Sequence, residues 1–257
     1  MAEHDRALAE AFDGQAERFE RAPVQSDPAA LARLVAFAEL PSGSAVLDAG
    51  CGPGLVSEAF LNAGHSVAGV DLSAEMVARA KRRCERFGAA ARFQQGSLFE
   101  FNPDRLFDAA VSRYVVHHVT DPLAFVRRQV ELLRPGGVLT VCDHTTDPDP
   151  ALAAFHERLE RERDTTHTRN LTAGGLADLL AAAGLESIRL QEESFTLDFD
   201  EWFDRGTPGA PKADVRDRLL AGPHARGFLP TLLPNGSVRI DCVRALVRGV
   251  KPVTPTP

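Results

Sequence analysis

The stretch Ala45-Val46-Leu47-Asp48-Ala49-Gly50-Cys51-Gly52-Pro53-Gly54 decides the fold. Its first four residues predict a buried strand, because a strand covered on both faces reads as a near-continuous apolar run. Three glycines at alternate positions then predict a tight turn in which the backbone adopts conformations closed to other residues. A helix follows from Leu55 to about Ala63, and Gly64 ends it as glycine commonly does. Strand, glycine turn and helix in that order are the opening unit of a parallel sheet.

Working outward, the same rhythm continues downstream. Ser66 to Asp71 predicts a second strand, and Ser73 an N-cap for a helix carrying Met76, Val77, Ala80, Cys84 and Phe87 on one face. Gly88 closes that helix. A short third strand spans Ala91 to Gln95 and a fourth Phe107 to Ser112. Asp121-Pro122 opens a helix by the cap-then-proline rule, with Leu123, Val126, Val130 and Leu133 inward. Pro135-Gly136-Gly137 turns the chain into a fifth strand, Val138 to Asp143. Strands alternating with helices predict an α/β fold, a mostly parallel sheet with helices on both faces.

Both flanks add further elements. Upstream, Leu8, Phe12, Ala16 and Phe19 fall at helical spacing within 5–20, and Asp27-Pro28 opens a second helix to about Glu39. Downstream, a charged helix runs from the Asp147–Pro150 turns to about Asp164. A polar stretch, Thr165 to Asn170, precedes a helix capped by Thr172 and stopped by Gly184. Ile188 to Gln191 and Val238 to Val247 predict two closing strands. The stretch between them holds the sole tryptophan, Trp202, and is long enough to require helices of its own. The proline- and threonine-rich tail Lys251 to Pro257 is expected to fray.

Composition excludes several classes. The chain has 257 residues, 44% hydrophobic and 25% charged, with a net charge of -7. That balance opposes a dedicated nucleic-acid binder, which needs a basic face. The triplet Lys81-Arg82-Arg83 reads as a solvated helix face. No run approaches the roughly 18 apolar residues of a membrane helix, and the acidic, mixed start is not that of a signal peptide. Four dispersed cysteines without a CxxC pair point to a reducing, cytoplasmic setting.

The glycine turn has a ligand-binding logic. Glycines let the backbone approach a ligand, and an acid ending the second strand, here Asp71, accepts from a ribose diol. The spacing is GxGxG rather than GxGxxG, and Asp48 just before the turn would meet a pyrophosphate at a cost. Both features disfavour NAD or FAD and suit a cationic amino-acid ligand.

These residues resemble the first motif of class I S-adenosylmethionine (SAM)-dependent methyltransferases. The resemblance continues through Gly69-Val70-Asp71-Leu72-Ser73, Phe107 to Arg113, and Leu132-Leu133-Arg134-Pro135-Gly136-Gly137. It is closest to the small-molecule branch related to ubiquinone/menaquinone-biosynthesis methyltransferases, through Phe12 to Ala16, Arg113 to Val119 and His167 to Asn170. It implies a Rossmann-like seven-stranded, mostly parallel sheet with an antiparallel last strand. It also implies one domain over 1–257: N-terminal helices (1–40) covering the cofactor, a SAM-binding core (44–143), and closing strands with a substrate-facing cap (144–250). Asp48, Gly50 and Gly52 would surround the methionine moiety of SAM, Asp48 near its amino group. Asp71 would hold the ribose, Leu72 and Met76 would pack by the adenine, and Ser97-Leu98 would meet its edge. Ser97 stands where many relatives have Asp. Arg113 would begin the segment beneath the sulfonium, and Phe12, Gln15 and Phe19 would close over it.

On the acceptor side, methyl transfer needs positioning and a base for any proton on the nucleophile. Histidine suits that role near neutral pH. His117, His118, His144 and His167 follow the fourth and fifth strands, at the sheet end where such folds bind ligands. They are the catalytic candidates. Tyr114, His118, His144, Arg169 and Trp202 are the substrate-binding candidates. Phe195, Phe199, Trp202 and Phe203 form either a lid or a small satellite core. No HExxH or paired Cys/His spacing calls for a metal, and no GxSxG elbow calls for hydrolase chemistry. The Asn-Pro-Pro-Tyr type of motif found in nucleic-acid amine methylases is absent after the fourth strand, which agrees with a small-molecule acceptor; a monomer or homodimer is expected. Two other functions fit the same residues: a SAM-fold enzyme of cyclisation or decarboxylation, and a non-catalytic SAM-binding protein. A nicotinamide oxidoreductase is the remaining rival.

Overall fold

The computed structural model describes residues 3–253. Three helices open the chain: α1 (Glu3–Arg21), α2 (Pro23–Ser26) and α3 (Pro28–Ala38). The alternating region follows as β1 (Ala45–Ala49), α4 (Leu55–Asn62), β2 (Ser66–Asp71), α5 (Ala74–Cys84), β3 (Ala91–Gln95), β4 (Phe107–Arg113), α6 (Pro122–Glu131) and β5 (Leu133–His144). The late region holds α7 (Pro150–Arg163), α8 (Ala173–Ala182), β6 (Glu186–Asp198), α9 (Phe199–Asp204), α10 (Lys212–Ala221), β7 (Phe228–Leu232) and β8 (Val238–Val250).

Helix starts follow the expected capping chemistry. The side chains of Asp27, Ser73, Asp121, Asp149 and Thr172 each accept from a backbone N–H of the first turn, and Pro28, Pro122 and Pro150 occupy first-turn positions where no N–H is needed.

The strands form one sheet in the order β3-β2-β1-β4-β5-β8-β6, with β7 also paired to β8. β1 to β5 pair in parallel, and β8 runs antiparallel to β5, β6 and β7. The reversal of strand order at β1/β4 opens a crevice at the carboxyl ends of the strands, where such sheets bind ligands.

Apolar side chains pack into three clusters. On one face Leu47, Val126, Leu139 and Leu180 join β strands to α6 and α8. On the other, Leu34, Val46, Phe60 and Val111 join them to α3 and α4. A third cluster lies in the late region, where Leu159, Phe199, Trp202, Phe203, Leu219 and Phe228 meet Tyr114.

Among the described residues the sheet has eight strands, where seven are expected. The extra strand is β7, whose Pro230 interrupts the apolar pattern and removes a ladder donor. β6 is 13 residues long, far beyond Ile188–Gln191, because an exposed edge strand is mostly polar and hides its period. β5 starts at Leu133, so Leu133 belongs to the strand and not to the preceding helix. The ladder passes from Phe107↔Leu133 to Ala109↔Val138 with a register shift, so Pro135-Gly136-Gly137 bulges out of it. Helices α9 and α10 fill the stretch before β7, as its length required. Within the tail, Lys251 to Val253 are described, and Lys251 donates from Nζ to Val130 and Leu133 carbonyls at 2.8 and 2.7 Å. Residues 254–257 lie outside the described residues. Among the described residues no helix is long and apolar enough to cross a membrane.

Candidate functional site

The glycine turn is held by its backbone. Gly50 and Cys51 N–H both donate to the Val70 carbonyl, at 2.8 and 3.1 Å. Gly50, Gly52 and Gly54 all have positive φ. A Cβ on Gly50 would lie 2.6 Å from Val115 Cγ2, and one on Gly54 would lie 2.9 Å from Ala80 Cα. A Cβ on Gly52 would stand clear of every neighbour but Phe19, 4.0 Å away, and so would project into open space.

That space is a cleft of about 180 Å³ above the carboxyl ends of β1, β2 and β4. Its walls include Phe12, Phe19, Gly50, Gly52, Asp71, Leu72, Met76, Ser97, Leu98, Arg113, Tyr114 and His118. Asp71 ends β2 and ties the turn to the next helix: Oδ2 accepts from Gly52 N–H at 2.8 Å and Oδ1 from Ser73 N–H at 2.9 Å. Burial raises its carboxyl pKa against these two bonds. Two of about four lone-pair sites on a carboxylate are thereby used, leaving acceptors for a further donor.

Asp48 does not line the cleft. It is buried beneath the turn, where Oδ2 accepts from Ser57 Oγ at 2.6 Å and Oδ1 has no hydrogen-bond partner. Burial pushes its pKa up to about 7. Helix α1 covers the cleft, fastened by Asp13, which accepts from Ser73 Oγ at 2.5 Å and Glu75 N–H at 3.1 Å. Glu20 adds ion pairs to Arg79 at 2.6 Å and Arg83 at 2.5 Å. Arg113 reaches back to the N-terminal segment, donating to the carbonyls of Gln25 and Val24 at 2.9 and 2.7 Å.

Phe12, Phe19, Gln25, Tyr114 and His118 are shared with a second, smaller chamber of about 40 Å³. Its other walls are Gln15, His117, His144, Leu197 and Trp202, together with Glu160, Arg163, Asp164, Asn170 and Arg205. Tyr114 forms the partition. It sits at φ 59°, a conformation costly for a bulky residue. Surrounding contacts over-determine it: Arg113 lies 4.6 Å over its ring, His144 stacks at 4.4 Å, and Arg244 donates to its hydroxyl at 3.0 Å.

The histidines differ sharply. His117 Nδ1 lies 2.5 Å from Asp143 Oδ1 at the end of β5. Burial opposes the charged form of His117, but the charge and hydrogen bond of Asp143 outweigh it, and the pKa is raised. His118 and His144 are pushed well below the usual range by burial, with His117 adding like-charge repulsion. His118 Nδ1 faces the Thr166 carbonyl at 3.2 Å and its ring meets Phe12 edge-on at 5.1 Å. His167 lines neither cavity; its Nε2 is bound to Glu157 at 3.0 Å. Arg169 is exposed and also outside both cavities, because the chain turns it outward between the buried His167 and Asn170. Phe195, Phe199, Trp202 and Phe203 join the late core, and Trp202 alone of the four also lines the chamber. Arg163, Arg205 and Glu160 escaped the sequence reading; they lie in helices, or at a helix end, whose charged residues look solvated, yet packing buries Glu160 and Arg205 and half-buries Arg163. Among the described residues no three His, Cys, Asp or Glu side chains are grouped to hold a metal.

The sequence profile of the family described as "Methyltransferase domain" matches residues 20–190. The methyltransferase YcgJ of Bacillus subtilis (strain 168) is 31% identical over 246 residues, 93% of this chain and 97% of its own length. Its crystal structure superimposes with a TM-score of 0.77, covering 87% of this chain and 98% of YcgJ. The protein BH2331 of Bacillus halodurans C-125, 25% identical, gives a TM-score of 0.78 over 87% of this chain and 99% of its own. A ubiquinone biosynthesis O-methyltransferase of Bradyrhizobium sp. (strain ORS 278) is 40% identical over 100 residues, 39% of this chain and 40% of that protein. The chain belongs to the class I SAM-dependent methyltransferases.

Proposed function

We propose that the protein methylates a small-molecule acceptor held in the chamber, with His117 and Asp143 handling the acceptor's proton. The carrying observation is the His117–Asp143 pair, 2.5 Å apart, in a chamber that shares a wall with the glycine-turn cleft.

The cleft fits the cofactor. Gly52 leaves room that a side chain would fill, and Asp71 keeps acceptor capacity beside it. Gly50, Gly52, Leu72, Met76, Ser97, Leu98 and Phe19 would hold SAM with Asp71 on its ribose, while Asp48 would act through its charge from beneath the turn. When bound, SAM supplies an electrophilic methyl group.

The chain's own residues do the rest. With Nδ1–H donating to Asp143, the lone pair of His117 rests on Nε2, the arrangement of an oriented general base. Removing the proton from an acceptor oxygen or nitrogen makes that atom nucleophilic. Tyr114 and His144, stacked together, and Trp202 shape the acceptor's seat. Helix α1 excludes water from above. The whole chain acts as one methyltransferase domain, monomeric or homodimeric, in a reducing cytoplasm that suits its four unpaired buried cysteines, and without nucleic acid.

Incubating the protein with methyl-labelled SAM and a metabolite pool, then searching by mass spectrometry for a labelled product, tests the reading. A labelled small molecule, lost in His117→Ala, is expected. SAM binding with no labelled product from any pool would overturn it.

A further inference from the structure

The chamber holds a buried cation, Arg205, whose carboxylate neighbour Glu201 stands too far away to hydrogen-bond it. Arg205 follows α9 and is only 7% exposed. Its Nε donates to the Glu201 carbonyl at 3.2 Å, and the Glu201 carboxylate comes no closer than 4.0 Å, beyond hydrogen-bond reach. None of the described residues hydrogen-bonds the two terminal nitrogens. A buried guanidinium whose terminal nitrogens find no acceptor is costly unless something completes it. Burial, with Arg163 adding like-charge repulsion, pushes its pKa down to about 10.

The other charges of the chamber are already committed. Asp164 accepts from Arg163 Nη1 at 3.3 Å and from Thr166 Oγ1 at 2.7 Å. Glu160 pairs with His156 at 3.5 Å and stands 4.0 Å from Arg163. A second donor lacks a partner: Asn170 is 4% exposed, lines the same chamber, and its Nδ2 makes no hydrogen bond. His117, when protonated, adds a third donor to these walls. Unmet donors, one of them a full positive charge, call for a ligand rich in acceptors and negatively charged.

We propose that Arg205 and Asn170 form a subsite for an anionic oxyacid group, carboxylate or phosphate, so that the methyl acceptor is an acid. This rests on the chamber being the acceptor's seat. Arg205 is then a specificity-determining residue: its fork matches a carboxylate or phosphate bidentately, which a lysine cannot reproduce.

Trp202, the sole tryptophan, lines the same chamber and reports its occupancy by fluorescence. The full chain is titrated with benzoate, phenyl phosphate and the neutral benzyl alcohol, with and without S-adenosylhomocysteine. One or both anions should bind at least ten-fold more tightly than the alcohol; which one does distinguishes carboxylate from phosphate. Arg205→Met should erase the preference, and Arg205→Lys should retain part of it. Equal affinity for all three probes in the unmodified protein overturns the proposal, as does a preference that survives Arg205→Met. Calorimetry with SAM, run on the same samples, separates this failure from failure of the cofactor reading, because loss of anion preference with intact SAM binding strikes only the subsite.

Discussion

The cleft and the chamber are adjacent, yet they are built in opposite ways. The cleft floor comes from successive strand ends: Gly50 and Gly52 after β1, Asp71 at the end of β2, Ser97 after β3 and Arg113 at the end of β4. The chamber gathers residues from α1, the turn after β4, β5, α7, the loop before α8, β6 and α9. One is a product of the sheet's topology and uses backbone geometry. The other is a product of packing and uses side chains, several of them charged and buried. On the proposed assignment, the cleft built by the fold would take the cofactor, and the chamber built by packing the acceptor.

Substitutions can break this division. The largest effect is expected from His117→Ala. Loss of a positioned base costs about 10²- to 10⁴-fold in turnover, and SAM affinity by calorimetry should stay within about two-fold if chamber and cleft are separable. Gly54→Ala strikes the cleft's scaffold instead. Its new Cβ would lie 2.9 Å from the Ala80 backbone at a φ of 82°, and urea unfolding should show a loss of about 1–3 kcal/mol. Asp71→Ala removes the carboxylate that joins Gly52 to Ser73. SAM should bind about ten-fold more weakly, the scale of one charged hydrogen bond, and unchanged binding would remove Asp71 from the ribose.

Asp143→Asn sharpens the comparison most finely. Asp143 raises the His117 pKa against burial, so its loss lowers that pKa. Activity that depends on neutral His117 rises with pH through this pKa, and the acidic limb of the kcat/KM profile should move to lower pH in the variant. An unmoved limb would show that another group controls it. The drop in turnover should be smaller than for His117→Ala, since the imidazole remains.

The same division explains how much could be read from residues alone. The glycine turn, the acid ending β2 and the caps of α3, α5, α6 and α8 are local signals, each complete within a few residues. They carried the fold, while most of the named walls of the cleft came from the family resemblance. Asp48 sits in the expected strand but behind the turn, because side chains alternate across a strand and position 48 faces Ser57 rather than the cleft. In the late region such signals give elements but not which side chains turn inward. Arg205 looks like one more charged residue near a helix end, and only its burial in the chamber wall sets it apart. Arg169 shows the converse: a polar stretch named the right neighbourhood, but which of its side chains turn inward depends on contacts far away in sequence. β7 was invisible because five residues with a central proline carry no period.

Strand β8 has a mechanical consequence. One of its edges is paired to β6 from Arg239 to Val250; the other is paired first to β7 over 238–242 and then to β5 over 244–250. A strand bound on both edges cannot slide, and sliding by a single residue would turn every side chain to the opposite face. At the junction sits Arg244, gripping Tyr114 on one side and Glu193 on the other. The alignment of β8 thus sets the partition between cleft and chamber like the key of an arch. Deleting one residue from β8 would misalign both compartments together, a failure that no single side-chain replacement in either compartment can imitate.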